Sequence, residues 1–84
     1  MNVTFTDDSW NDYVYWQQTD RQILKRINKL LKDIQRNPCE GIGKPESLKY
    51  ELSGCWSRRI SEEHRLIYEM NDYSVVIISC RYHY

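Results

Sequence analysis

A β-hairpin is predicted by the stretch Gly54-Cys55-Trp56-Ser57-Arg58-Arg59-Ile60-Ser61-Glu62-Glu63-His64-Arg65-Leu66-Ile67-Tyr68. Within it, Trp, Ile, Leu and Tyr alternate with polar residues in two runs, on either side of a polar turn at Ser61 to His64. Charged residues are uncommon in the middle of strands, yet this hairpin carries Arg58, Arg59 and Arg65. A sheet face that carries arginines is either well solvated or able to hold an anion.

The length of 84 residues predicts one small domain, residues 1–84, with a modest core. Twelve Lys and Arg against twelve Asp and Glu give a formal net charge of zero, so no overall basic field indicates a nucleic-acid partner. The charges are segregated, however, because residues 20–37 contain six basic and two acidic residues, a balance of +4. We therefore expect a basic side, formed by Arg21, Lys25, Arg26, Lys29, Lys32 and Arg36.

The three cysteines, Cys39, Cys55 and Cys80, are odd in number and widely spaced, which fits neither a disulfide framework nor a zinc site. Buried, reduced thiols in a cytoplasmic protein are expected instead. We expect no signal peptide in the first residues, since Asp7 and Asp8 interrupt any apolar continuation. The short apolar runs also predict no membrane-spanning segment.

The first half of the chain predicts one strand and two helices. Residues 2–6 alternate as a strand, and Thr6 is an expected N-cap for a helix that extends to about Gln18. Thr19 followed by Gln22 predicts a capping box, so a second helix should begin at about Asp20. Its apolar residues form one stripe that ends before Asn37-Pro38: Ile23, Leu24, Ile27, Leu30, Leu31 and Ile34.

The second half predicts an antiparallel sheet. Residues 38–47 are rich in turn residues and predict a loop, and residues 48–52 alternate as a strand before the arginine hairpin. A turn at Asn71-Asp72 precedes a strand from about Ser74 to Arg81, which we place centrally because its β-branched run is apolar on both sides. The order β-α-α-β-β-β-β indicates an α+β fold, a mostly antiparallel twisted sheet with two helices packed on one face.

The chain resembles, over essentially its full length, the YoeB toxins of the RelE/ParE superfamily, ribosome-dependent messenger RNA endonucleases of bacterial toxin-antitoxin modules. The residues that carry this resemblance are Ser9-Trp10 with Tyr13 and Trp16, Gly43 to Glu46, Leu48-Lys49, Ser53-Gly54, Trp56 to Ile60, Glu62 to Leu66 with Tyr68, and Cys80 to Tyr84. Three positions depart from the family pattern. Cys39 and Cys55 stand where aromatic residues are expected, and Ser47, which could loosen the Glu46 loop, stands where proline is common.

The resemblance implies metal-independent cleavage of RNA, without a cofactor. It assigns Glu46 as the general base, Arg65 as the phosphate stabiliser and His83 as the general acid. The expected products are a 2′,3′-cyclic phosphate and a 5′-hydroxyl. Residues assigned to RNA or phosphate binding in support of this chemistry are Lys49, Arg59 and Tyr84. These side chains also have simpler interpretations, namely a solvated loop carboxylate for Glu46, a surface ion pair for Arg65 and a frayed terminus for His83.

Strand geometry provides a test of the shared phosphate site. If Arg59 and Arg65 act on one phosphate, they must lie on the same sheet face, which requires an odd number of loop residues between the strands. We predict the odd loop, with three residues, Glu62 to His64, and with Ser61 paired with Arg65. His64 is interpreted as a turn residue.

The partners implied by the resemblance are a cognate YefM-like antitoxin, the ribosome with its 30S A site and 16S ribosomal RNA, and messenger RNA. A homodimer is possible, operator DNA is expected to be bound only through the antitoxin complex, and no membrane is involved. Contact between the basic second helix and ribosomal RNA is an open alternative to a merely solvated face. Two other functions also remain open: a ParE-like toxin that inhibits a protein target such as DNA gyrase, and a non-catalytic RNA or protein interaction domain.

Overall fold

The computed structural model describes residues 1–82, and its elements follow the order expected from the sequence. Strand β1 (Asn2–Phe5) is followed by helices α1 (Asp7–Thr19) and α2 (Arg21–Arg36). The remaining strands are β2 (Glu46–Ser47), β3 (Cys55–Arg59), β4 (Arg65–Met70) and β5 (Ser74–Ser79). Neither helix within residues 1–82 is long and apolar enough to cross a membrane.

The five strands form one mixed sheet in the order β1-β5-β4-β3-β2. β1 runs parallel to β5, whereas the other neighbouring strands are antiparallel. Both helices pack on one face of this sheet, and the core between the layers includes Ile27, Leu30, Ile34, Leu66, Tyr68, Val75 and Ile77. The predicted α+β architecture is confirmed, and β5 lies inside the sheet, as expected from its apolar run.

The junction between the two helices differs from the predicted capping box. Thr19 is the last residue of α1, and its hydroxyl donates to the carbonyl of Tyr15. Asp20 is the N-cap of α2, because its Oδ1 accepts hydrogen bonds from the backbone N–H groups of Gln22 and Ile23. Thr19 is therefore unavailable as a cap, and a single extended residue both ends one helix and starts the next.

The strand predicted at residues 48–52 is wrong. The ladder with β3 lies earlier, at Glu46–Ser47, and the chain then forms a 3₁₀ turn at Tyr50–Leu52. Tyr50 has a φ of 60°, a left-handed conformation that interrupts an extended strand. Its side chain is also exposed, so the alternation of Leu48, Tyr50 and Leu52 does not describe one buried face.

The cysteines are all free, and two of them are buried as expected. Burial raises the pKa of the Cys80 thiol to about 12, with the nearby Asp12 carboxylate as a smaller cause. Cys39 is exposed, contrary to the prediction, because it lies in the loop that follows α2.

Arg58 is buried and has a structural role, whereas the other two arginines of the hairpin are accessible to solvent. Its side chain is 0% exposed and reaches α2, where Nη1 donates to the Asp33 carboxylate at 2.5 Å. Its other hydrogen bonds go to the hydroxyl of Tyr68 and to the carbonyls of Asn37, Glu40 and Ile42. The guanidinium thus ties the loop between α2 and β2 to the sheet, and this loop leads to Glu46.

Asp33 makes the anchoring of this loop sensitive to acid. The hydrogen bond from Arg58, followed by that from the backbone N–H of Ile42, lowers the pKa of the Asp33 carboxyl below its usual 3.8. A carboxyl with a lower pKa in the folded state stabilises the fold above its unfolded pKa, and this stabilisation is lost as the pH falls through the folded pKa.

We expect Asp33→Asn to lower the free energy of unfolding at neutral pH and to weaken its dependence on pH below about pH 5. Urea unfolding of the wild type and the variant across this range measures both effects. Equal pH dependence in the two proteins would contradict a lowered pKa at Asp33.

Candidate active site

Arg59 and Arg65 lie directly opposite each other in the β3–β4 hairpin. Direct partners in an antiparallel pair point to the same face of the sheet. Arg58, which precedes Arg59 on β3, points to the opposite face of the sheet, toward the helices. Arg59 and Arg65 therefore lie on the face away from α1 and α2, which is called here the open face. The prediction that Arg59 and Arg65 share a face is confirmed.

The predicted register of the hairpin is wrong, although its parity is right. Five residues, 60–64, separate the strands, so Arg65 pairs with Arg59 and not with Ser61. The carbonyl of His64 accepts hydrogen bonds from the backbone N–H groups of both Ile60 and Ser61. The Ser61 hydroxyl oxygen in turn accepts from the N–H groups of residues 63 and 64, which closes this wider loop.

Strand β2 brings Glu46 to the same open face. Glu46 pairs with Ser57, which lies two residues before Arg59 on β3. Because side chains alternate along a strand and neighbouring strands lie about 4.8 Å apart, the carboxylate and the two guanidinium groups belong to adjacent rows of one surface. Glu46 and Arg59 are exposed, and Arg65 is half-buried.

Gly43 allows the backbone before Glu46 to approach β3 closely. Its carbonyl accepts a hydrogen bond of 2.7 Å from the N–H of Arg59, and its φ is 80°. A Cβ at this position would lie 2.8 Å from Cδ2 of Leu30 and 3.2 Å from the carbonyl oxygen of Arg59. Four residues after Gly43, Ser47 pairs with Trp56, so the departure from proline falls in a strand and not in the loop where it was expected.

The Arg65 side chain is held by the loop that precedes it. Its Nη1 donates to the carbonyl of Ser61 at 2.6 Å and makes longer hydrogen bonds to the carbonyls of Glu62 and His64. A guanidinium fixed at one nitrogen has less rotational freedom to lose when its other donors bind an anion.

Two like charges placed directly opposite each other on a sheet repel and destabilise the pair. Arg59 and Arg65 have this arrangement. An anion bound between them would remove the repulsion, and the planar guanidinium matches the oxygen geometry of a phosphate. The surface can therefore hold a phosphodiester with the carboxylate of Glu46 in the neighbouring row.

Of the other predicted site residues, the structure describes Lys49 but not His83 or Tyr84. Lys49 is exposed, beyond the end of β2 and outside its ladder. Tyr82 lies beside the arginines, because its carbonyl accepts a hydrogen bond from the N–H of Arg65. His83 and Tyr84 lie outside the described residues. Within residues 1–82, no three His, Cys, Asp or Glu side chains converge in a way that could hold a metal ion.

His64 is the residue of this region that sequence reasoning missed. It lies in the hairpin loop, yet it is only 9% exposed, and its Nδ1 accepts a hydrogen bond from the N–H of Tyr82. Its neighbours in sequence, Glu62 and Glu63, are exposed, so no local pattern distinguishes it from a solvated turn residue.

The expected basic side is formed by the outer face of α2. Its exposed members recur every three or four residues, at Arg21, Lys25, Lys29, Lys32 and Arg36, whereas Arg26 is half-buried. The buried residues Ile27, Leu30 and Ile34 occupy the opposite side of the helix, against the sheet. The basic stripe and the open face are consequently separate surfaces.

Comparison with known proteins gives one consistent result. Residues 5–84 match the family described as the YoeB-like toxin of the bacterial type II toxin-antitoxin system. The chain is 58% identical to toxin YoeB of Escherichia coli strain K12 over 84 residues, which cover all of both chains.

Solved structures agree with the sequence comparison. A YoeB/ParE toxin from Agrobacterium tumefaciens superposes with a TM-score of 0.98 at 43% identity, with complete coverage of both chains. The Staphylococcus aureus YoeB dimer superposes with a TM-score of 0.93 at 53% identity, and the YoeB-YefM complex of that organism gives 0.92 at 52%. Both cover all of this chain and 98% of the other. The match spans the hairpin, the Glu46 strand and both helices, and the chain belongs to the YoeB-like toxins of bacterial type II toxin-antitoxin systems.

Proposed function

We propose that this toxin is a ribosome-dependent messenger RNA endonuclease that inhibits translation. The observation that carries the proposal is the row of Glu46 beside the directly opposed Arg59 and Arg65 on the open face. Cleavage of RNA by attack of its own 2′-hydroxyl needs a base, cationic groups for the phosphorane charge and an acid for the leaving oxygen. The proximity of Glu46, Arg59 and Arg65 supports their assignment to the first two roles.

The proposed reaction requires no metal ion. The Glu46 carboxylate takes the proton of the 2′-hydroxyl as the 2′-oxygen attacks phosphorus, and Arg59 and Arg65 stabilise the additional negative charge. The bond from phosphorus to the 5′-oxygen then breaks, and His83 donates a proton to that oxygen, while Lys49 and Tyr84 support RNA binding. The products are a 2′,3′-cyclic phosphate and a 5′-hydroxyl, so DNA, which lacks the 2′-hydroxyl, is not a substrate.

Separate surfaces are suited to separate partners. The basic stripe on α2 is proposed to contact ribosomal RNA near the A site of the small subunit, since lysines and arginines bind phosphates without sequence specificity. A YefM-like antitoxin is proposed to neutralise the toxin, as supported by the complex of its Staphylococcus aureus relative. The dimer of that relative supports a homodimer. The activity is proposed to occur in the cytoplasm, and operator DNA is proposed to be bound only through the antitoxin complex.

Cleavage of a ribosome-bound message by the purified toxin tests the proposal. Primer extension locates the cut, and mass spectrometry identifies the ends. We expect a cyclic phosphate, loss of cleavage when the nucleotide before the cut is 2′-deoxy, and a rate about 100- to 10,000-fold lower for Glu46→Gln. Added antitoxin should abolish cleavage in the same assay.

Glu51→Gln is the matched control, because Glu51 is another exposed carboxylate in the segment after β2. It should cleave at the wild-type rate. Cleavage of the 2′-deoxy message at an unchanged rate would exclude the proposed attack. If no message is cut and DNA gyrase is inhibited instead, a ParE-like function replaces this one, and if neither occurs the chain is a non-catalytic interaction domain.

A further inference from the structure

The end of the described chain is held by hydrogen bonds to the backbone of two residues, Cys80 and Tyr82. The carbonyl of Cys80 accepts a hydrogen bond of 2.8 Å from Nε1 of Trp16, and its N–H donates to the Asp12 carboxylate at 3.1 Å. Two residues later, the carbonyl of Tyr82 accepts from the N–H of Arg65 at 3.0 Å, and its N–H donates to Nδ1 of His64 at 2.7 Å. Both backbone groups of both residues are therefore occupied.

His64 is built into this arrangement through its ring. Its imidazole lies edge-on to the indole of Trp16, with ring centroids 4.7 Å apart, and 5.2 Å from the ring of Tyr82. Trp16 thus contacts His64 and at the same time binds Cys80. The position of the imidazole is determined by α1, by the hairpin loop and by the C-terminal segment together.

The hydrogen bond to Tyr82 gives the two ring nitrogens of His64 different roles. Nδ1 is the acceptor of this bond, which leaves Nε2 as the ring nitrogen that can donate. That nitrogen lies 3.7 Å from the carboxylate of Glu63. Protonation of Nδ1 would convert the acceptor into a second donor and place two N–H groups against each other.

Tyr82 needs such a partner because of its backbone. Its φ of 61° is in the left-handed region, which a tyrosine seldom adopts without compensation. Hydrogen bonds from its N–H to His64 and from Arg65 to its carbonyl hold this conformation from both sides. The two partners are consecutive residues, and one of them is the proposed phosphate ligand.

We propose that His64 is a positioning residue for RNA cleavage: its acceptor nitrogen Nδ1 fixes the backbone of Tyr82 beside Arg65, the point from which the chain continues to the proposed acid, His83. This inference rests on the function proposed above. His64 itself donates no proton to the substrate in this scheme. A displacement of a reacting group by about 1 Å is sufficient to lower a rate by about 100-fold.

Two substitutions distinguish the effect of the hydrogen-bond acceptor of His64 from the effect of its ring packing. In His64→Asn, Oδ1 can occupy the position of Nδ1 and accept from Tyr82, but the ring is lost. In His64→Phe, the ring and its packing against Trp16 remain, but the acceptor is lost. We expect His64→Phe to lower single-turnover cleavage at saturating ribosome concentration by about 100-fold and His64→Asn to recover most of this loss.

Two measurements on the isolated toxin complete the test. Nitrogen-15 shifts of the His64 ring should show a proton on Nε2 only, and hydrogen exchange at the Tyr82 amide should be slow in wild type and His64→Asn but fast in His64→Phe. Thermal unfolding of each variant gives its stability. Wild-type cleavage by His64→Phe would overturn the proposal, as would losses in both variants that follow their stabilities.

Failure of the proposed function gives a different result. If the wild type does not cleave, the endonuclease activity and the catalytic consequence of His64 are both rejected, whatever the exchange data show. If the wild type and His64→Asn cleave and the Tyr82 amide exchanges rapidly in all three proteins, only the positioning role is rejected.

Discussion

Arg65→Ala is expected to lower the rate of messenger cleavage about 100- to 1,000-fold, the usual effect of removing a group that stabilises transition-state charge. Nη1 of Arg65 is held by three loop carbonyls, so the rest of its guanidinium is presented to the open face in one orientation. Arg65→Lys should recover little of the loss, because an ammonium has no planar fork with which to bind two phosphate oxygens.

The measurement is single-turnover cleavage over a range of ribosome concentrations. Arg65→Ala should reduce the maximal rate, whereas the control Lys29→Ala, on the basic stripe, should raise the concentration needed for half-maximal rate and leave the maximum unchanged. A maximal rate for Arg65→Ala equal to that of the wild type would refute its role in the chemistry.

The second large effect is expected at the neighbouring pair Arg58 and Arg59. Arg58→Ala should lower the free energy of unfolding by about 3 kcal/mol, because it removes a fully buried side chain with its bond to Asp33 and leaves several loop carbonyls without a donor. For a domain of this size, the melting temperature should fall by about 12 °C or more.

Arg59→Ala is the matched control, one residue away on the other face. Its side chain is exposed, and its backbone N–H bond to Gly43 survives the substitution, so its stability should change by no more than about 0.5 kcal/mol. Cleavage should nevertheless fall sharply. Equal melting temperatures for the two variants would show that the buried network around Arg58 does not stabilise the fold.

The contrast between these two arginines shows how far the sequence could predict the structure. Alternation is a local property with a period of two, so it reduced the question of a shared face to an odd or an even loop, and the predicted odd loop agrees with the observed pairing of Arg59 with Arg65. The partner of Arg58 is 25 positions away on α2, and no local pattern identifies Asp33 as that partner. The buried arginine that binds a carboxylate and the exposed arginine that is proposed to bind a phosphate therefore look alike in the sequence.

Errors at element boundaries have a similar cause. Residues 48–52 have the polarity of a strand, but the last backbone bond to β3 is donated by the N–H of Leu48 to Cys55, and the backbone conformation at Tyr50 then breaks the extended chain. The proposed role of His64 depends on contacts with Trp16 and Tyr82, which are far from it in sequence. The assignments of His83 and Tyr84 came from family resemblance alone and stay predictions, as these two residues lie outside the described part of the chain.

The pairing of β1 has a consequence for the order of folding. β1 is an edge strand, and its neighbour in the sheet is β5, with Asn2 opposite Ser74. β1 can therefore pair only after β5 has been synthesised. This pairing closes a loop that contains most of the chain, which costs more conformational entropy than closing the short loop of a hairpin. While the ribosome is still making this chain, its sheet is incomplete. The toxin can reach its full fold only after β5 has emerged from the ribosome.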